Sequence, residues 1–219
     1  MRILIAVALV LQTDKPLFEE AFAGKLSDGW AWVREDAAAH KVEGGALKIK
    51  AQPGTLWFKT NTAKNLLLRK PPLAPEAEPL AIEVTVVSNP ESNAEQAGLL
   101  VYADDGNYVK LVREALKGKI NAVFAREVKG IPVHHPPKEA ADNSFEFRIV
   151  WTGAKLSGFY RSADESEKAR RGTLLWIHLG DHDVPPGAPL QVGLCAHGAA
   201  AEADRWATFK SFRVSKAAK

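Results

Sequence analysis

The densest grouping of chemically able side chains in this 219-residue sequence is His178-Leu179-Gly180-Asp181-His182-Asp183, which puts four potential ligands in six residues. Imidazole together with carboxylate suits zinc, copper or iron. Gly180 and the following Pro185-Pro186-Gly187 point to a loop, so the helical spacing of paired metal-binding histidines does not apply and a plain polar loop is the competing reading. His134-His135-Pro136-Pro137 forms a second such loop with the same two readings.

Carboxylates are the next resource. Glu83 and Glu146 each fall on the polar face of an alternating segment, where they either enter a site or face water. Glu202-Ala203-Asp204 is followed by Arg205-Trp206-Ala207, and Glu202 reads as a solvated acid. Asp104-Asp105-Gly106-Asn107 lies between two apolar segments; it lacks the alternating oxygen ligands and closing Glu of a calcium loop and reads as a hairpin turn. The sequence contains no Gly-x-Ser-x-Gly elbow, phosphate-binding glycine loop or dinucleotide fingerprint.

A small-molecule site needs an apolar platform with a few convergent polar groups. The candidates are Trp57, Gln96, Tyr102, Tyr108, Lys110 and Arg113. Period 2 puts Tyr108, Lys110 and Glu114 on one face of a strand and Arg113 on the other. Trp30, Trp32, Trp151 and Trp176 sit among apolar neighbours or at strand starts and read as packing residues.

The elements that must position these residues are strands. In SFEFRIVWTG, Phe145, Phe147, Ile149 and Trp151 alternate with Glu146, Arg148, Val150 and Thr152, as a half-buried antiparallel strand requires. Leu80, Ile82, Val84 and Val86 repeat the pattern, and further short strands are bounded by Gly, Pro, Asn and Asp. No long amphipathic helix interrupts them, and no repeat or linker divides the chain. The expected fold is all-β, an antiparallel sandwich or jelly roll spanning residues 15–219 as one domain.

Composition narrows the partners. The 29 basic and 26 acidic residues are mixed along the chain, so a net charge of +3 gives no clustered basic face for nucleic acid. The lone Cys195 excludes an intramolecular disulfide and reads as a small core residue. Arg2 followed by the apolar run Ile3–Leu11 has the form of a short secretory signal over residues 1–14, implying a secreted or periplasmic protein; a buried first strand is the alternative. No segment is long enough to span a membrane as a helix.

The ordered phrases FEEAFAGKLSDGWAWVRED (18–36), VEGGALKIKA (42–51), NLLLRKPP (65–72), EQAGLLVYADDGNYVKLVRE (95–114), FEFRIVWTGAKLSGFYRSADE (145–165) and VGLCAHG (192–198) resemble the concanavalin A-like lectin/glucanase superfamily. More narrowly, they resemble the C-terminal domain of family 43 β-xylosidases and the domain of unknown function 1349. The resemblance implies a jelly-roll β-sandwich of two antiparallel sheets associated with carbohydrate-active proteins. It also raises a structural calcium, for which Glu19, Glu20 and Asp204 are the candidate ligands. Glucanases of this superfamily carry their acids as Glu-x-Asp-x-x-Glu on one strand; here Glu202-Ala203-Asp204 lacks the third acid. The expectation is therefore a non-catalytic carbohydrate-binding or accessory protein. The alternatives are a glycosidase-like enzyme resembling 3-keto-disaccharide hydrolases and an interaction module without a small ligand.

Overall fold

The computed structural model describes residues 15–58, 60–140, 142–164, 175–187 and 189–217. The expected signal segment, residues 1–14, and most of the charged stretch after Asp164 lie outside them. The strands are β1 (Phe18–Glu20), β2 (Trp30–Val33), β3 (His40–Glu43), β4 (Ala46–Lys50), β5 (Leu56–Trp57), β6 (Thr60–Asn61), β7 (Leu66–Arg69), β8 (Leu80–Val87) and β9 (Gln96–Asp104). They continue with β10 (Asn107–Leu116), β11 (Lys119–Val128), β12 (Ile131–His134), β13 (Lys138–Glu139), β14 (Ser144–Thr152), β15 (Lys155–Ser162), β16 (Ile177–Asp183), β17 (Gln191–His197) and β18 (Trp206–Lys216). Among the described residues no helix is long and apolar enough to cross a membrane.

Two antiparallel sheets carry the fold. The first runs β16-β15-β14-β8-β18-β4-β3, with β1 also on β18; the second runs β12-β11-β10-β9-β17-β7-β2, with β13 also on β11. Strand β18 serves two partners because a bulge between Lys210 and Arg213, with Ser211 at φ 53°, bends it. Its first half pairs with β4 and its second with β1. The jelly-roll sandwich expected from alternation is the observed architecture.

Alternation sets the core. Phe145, Phe147, Ile149 and Trp151 of β14 meet Leu99, Val101, Val109, Leu111 and Phe124 of the second sheet in one apolar layer between the sheets. Glycine lets the layer close: a Cβ on Gly158 would stand 2.7 Å from the Phe124 ring. The second sheet is unusual in burying its other face too. Leu66, Leu68, Leu100, Tyr102, Tyr108, Val112, Val123, Ala125 and Cys195 form a second apolar cluster there, under the hairpin β5–β6. Leu56 points down into this cluster, Trp57 lies at its margin, and Phe58 is exposed at the hairpin tip. Cys195 is thus a small buried strand residue, as its neighbours imply, and burial pushes its thiol up to about 12.

At one flank of the sandwich the edge strands β12 and β16 lie near each other. Exposed Ile131 and Val133 on β12 accompany exposed Leu175 and Ile177 at the start of β16. Pro132 sits in β12 opposite Glu127.

Candidate functional site

The roofing hairpin is fixed to the second sheet at two points. At its tip, Glu127 accepts a hydrogen bond from the Phe58 backbone N–H at 2.8 Å and from the Tyr108 hydroxyl at 3.0 Å. Tyr108 also bonds the Leu56 carbonyl. The first bond holds Phe58 at φ 61°, a left-handed conformation that bulky residues rarely adopt. At the other point, Arg34 joins three groups. It donates to both Asp105 oxygens at 2.7 and 3.0 Å, to Asn61 Oδ1 at 2.8 Å and to the Ala63 carbonyl at 2.7 Å. The Tyr102 hydroxyl closes the network on Asp105.

The acidic turn thus divides its labour. Asp104 accepts from the Gly106 and Asn107 nitrogens and shapes the hairpin, as its position in the sequence implies. Asp105 instead ties three distant segments together.

Beneath and beside Trp57 the roof leaves a cleft of ≈ 240 Å³. Its floor is polar. Lys110 donates to Gln96 Oε1 at 2.7 Å, Gln96 donates to Glu114 Oε1 at 3.3 Å, and the Lys110 ammonium lies 4.5 Å from the centre of the Trp57 ring. Its walls are mostly apolar, with Ala94, Leu116, Val123 and Pro137, while Thr55 and His134 complete the lining. The register explains the convergence: Glu114 stands opposite Gln96 on β9 and Asn121 on β11, while His197 on β17 stands opposite Gln96. One polar row therefore crosses four neighbouring strands, and all four side chains are buried.

Burial governs the protonation of this row and of Lys110 beside it. It pulls the Lys110 ammonium below the ordinary lysine range, against the opposing pull of Glu114. It pushes Glu114 up, against Lys110. It also pushes the His197 imidazole down to about 3, and neither ring nitrogen of His197 has a hydrogen-bond partner. The Gly54 carbonyl near it favours the charged form slightly without hydrogen-bond geometry.

Of the six residues proposed as ligand contacts, Trp57, Gln96 and Lys110 line this cleft. Tyr102 and Tyr108 share the face but lie under the roof with their hydroxyls committed, which pushes both phenols upward from burial first and the adjacent carboxylates second. Arg113 points the other way, into the layer between the sheets. It is fully buried, donates to the Ser88 carbonyl at 2.5 Å, and leaves Nε and Nη2 without partners. Burial draws its guanidinium down to about 10, opposed only by Asp142. A buried guanidinium with two nitrogens unpaired carries a desolvation cost that its contacts do not offset, and an apolar side chain of similar length removes that cost. Arg113→Met is therefore expected to raise the urea midpoint without changing the slope of unfolding. Sequence reading missed Glu114, His134 and the apolar wall as site members, although the Tyr108-Lys110-Glu114 spacing already put Glu114 on the right face.

The calcium candidates are not brought together. Glu20 is buried and accepts from Phe22 N, Ser27 N, Ser27 Oγ and Trp30 Nε1 at 2.6–3.0 Å, so its oxygens are occupied. Glu19 is exposed opposite Arg213. Asp204 pairs with Lys50 at 3.1 Å near the other end of β18, about 20 Å away at strand spacing. These three residues do not fit a common calcium ion.

The histidine-rich segment forms strand β16 where a loop is expected, and only the stretch after Asp183 leaves the sheet. His178 pairs with Asp181 at 3.1 Å, Asp183 with Lys155 at 2.6 Å, and buried His182 stacks against Phe124 and His135. Burial draws His182 down to about 4. His134 ends strand β12, and only the residues after it form the loop. Among the described residues no group of three or more His, Cys, Asp or Glu is placed to hold a metal. Glu83 and Glu146 are held by Arg148 and Arg161 from the neighbouring strands, and both guanidinium groups lie within 4.3 Å of the Trp176 ring centre. Trp176 therefore packs in a charged ladder on the outer face of the first sheet and not among apolar neighbours.

The fold is shared with solved structures. A Bacteroides ovatus protein titled "Xyloglucan PUL GH43B" matches with a TM-score of 0.75 at 20% identity, over 93% of this chain and 40% of its own length. The GH43 BlXynB protein of Bacillus licheniformis matches with 0.75 at 19%, over 91% of this chain and 39% of its own. A functionally unknown Saccharomyces cerevisiae protein matches with 0.65 at 16%, over 87% of this chain and 98% of its own. At these identities the likeness establishes the fold, and this chain spans about 40% of the length of the two GH43 proteins. Among curated proteins none matches the sequence. Residues 32–217 match the model of a family described as "Protein of unknown function (DUF1349)", and the chain belongs to that family.

Proposed function

We propose that this protein is an exported, non-catalytic carbohydrate-binding module that holds a sugar in the cleft between Trp57 and the Gln96–Lys110–Glu114 floor. The observation that carries the reading is the convergence of an indole, a planar amide, an amine and a carboxyl group on one small, apolar-walled cleft. The GH43 titles of structural relatives support a carbohydrate setting, and the Arg2–Leu11 sequence pattern supports export. The carboxylate placement supports a binding role. Glu114 and Glu127 on the roofed face stand six residues apart along β10, Glu127 being opposite Tyr108, or about 20 Å. Glycosidase pairs need about 5–9.5 Å.

Titration calorimetry with a panel of xylo- and gluco-oligosaccharides tests this. A saturable isotherm is expected, weakened roughly tenfold by Trp57→Ala through loss of the aromatic contact. Absence of retardation on every polysaccharide in a broad affinity-gel panel would overturn the reading.

A further inference from the structure

Among the described residues Lys110 is the one lysine that is buried. Lysines nearer the surface such as Lys41, Lys48, Lys50, Lys119, Lys155 and Lys216 each have a carboxylate within 4 Å. Lys110, only 2% exposed, has none among the described residues. An ammonium carries three donors. One is used on the neutral Gln96 oxygen at 2.7 Å, and the Trp57 ring covers another side. Glu114 shares the face, but its Oε1 accepts from Gln96 at 3.3 Å. Buried charges are paired in stable proteins because an isolated one loses its hydration with nothing in exchange. The amine that lacks a counter-charge lies on the floor of the one cleft in which Trp57, Gln96 and Glu114 meet.

Resting on the sugar-binding reading above, we infer that the cleft is built for a sugar bearing a carboxylate, a uronic acid residue, whose carboxylate becomes the counter-ion of Lys110. The ligand's oxygens take the ammonium donors left over from Gln96. Its ring lies against Leu116, Val123 and Pro137, and its hydroxyls meet Gln96 and His134. Glu114 Oε1 is turned to the Gln96 amide, and burial pushes its carboxyl upward, which lessens its opposition to an incoming anion. An ion pair in such a dry site is worth more than the same pair in water.

The discriminating probes are methyl β-glucuronide, its methyl ester and methyl β-xyloside, titrated calorimetrically into the full chain. The free acid is expected to bind at least tenfold tighter than either neutral glycoside. In Lys110→Met, which keeps the volume and should fold, the ratio is expected to fall to about one; Lys110→Arg is expected to keep a preference for the acid. Equal or tighter binding of methyl β-xyloside by the parent protein overturns the inference while leaving sugar binding intact. A preference for the acid that survives Lys110→Met also overturns it. If none of the three glycosides binds, this inference falls, while the sugar-binding reading is decided separately by the oligosaccharide and affinity-gel panels.

Discussion

Replacing Gly98 by alanine is expected to remove most of the folded protein. Gly98 lies in the middle of β9, between Val112 of β10 and Cys195 of β17, at the centre of the second sheet. A Cβ there would stand 2.2 Å from the Leu111 carbonyl oxygen and 2.7 Å from the Val112 Cα. Both obstacles are backbone, so no side-chain rotation relieves them; β9 and β10 would have to separate along their shared ladder. Overpacking of a flexible core costs about 1–3 kcal/mol, and a clash with paired backbone belongs in the exceptional range beyond about 4 kcal/mol. Urea unfolding followed by tryptophan fluorescence, with soluble yield as a second readout, checks this. Gly106→Ala is the control, since its nearest neighbour would be 3.6 Å away, and it is expected to stay within about 1 kcal/mol of the parent.

The second large effect is expected at Glu20. This buried carboxylate gathers four donors from three residues and so fixes the path of the chain from β1 to β2. Burial alone would raise its pKa, but the hydrogen bonds from Ser27, Phe22 and Trp30 together outweigh burial and hold it below 4.5. The sign follows from linkage. A group depressed in the folded state contributes stability above its unfolded pKa, and that contribution is lost as pH falls through the folded value. Glu20→Ala is expected to cost roughly 2–4 kcal/mol at neutral pH, because it strands donors at least partly shielded from water. Glu20→Gln is expected to flatten the fall in stability below about pH 4.5 compared with the parent. Chemical denaturation between pH 3 and 7 reads both outcomes.

These two sites also mark where the sequence is legible. The first sheet could be read almost residue by residue: β14 alternates throughout and β8 from Ile82 onward, with one face in the core and the other in water or in ion pairs. The second sheet could not, because the β5–β6 hairpin dries its outer face. Lys110 and Glu114 therefore look like the polar side of an ordinary strand while being buried. Parity correctly separated Arg113 from Lys110, but nothing local says that the Arg113 side is the interior. Glu20 reads as a metal ligand because its partners Ser27 and Trp30 lie beyond a loop whose path only the folded chain defines. Asp104 acts within its own turn and is legible; Asp105 reaches Arg34, 71 residues away, and is not. In β16, Gly180 suggested a break, whereas its φ of 144° accommodates a bulge opposite Gly158 with the His135 ring packed over it.

The β12 edge has a consequence for how copies of this protein meet. An open edge strand with Ile131 and Val133 exposed is a template onto which a second chain can add a strand, the first step of ordered aggregation. Pro132 between them carries no N–H, and Pro136 and Pro137 follow within five residues, so an incoming strand finds donors missing along that edge. Pro132 and Pro136, with Pro137 that lines one end of the cleft, thus act as gatekeepers against fibre-like stacking in concentrated solution.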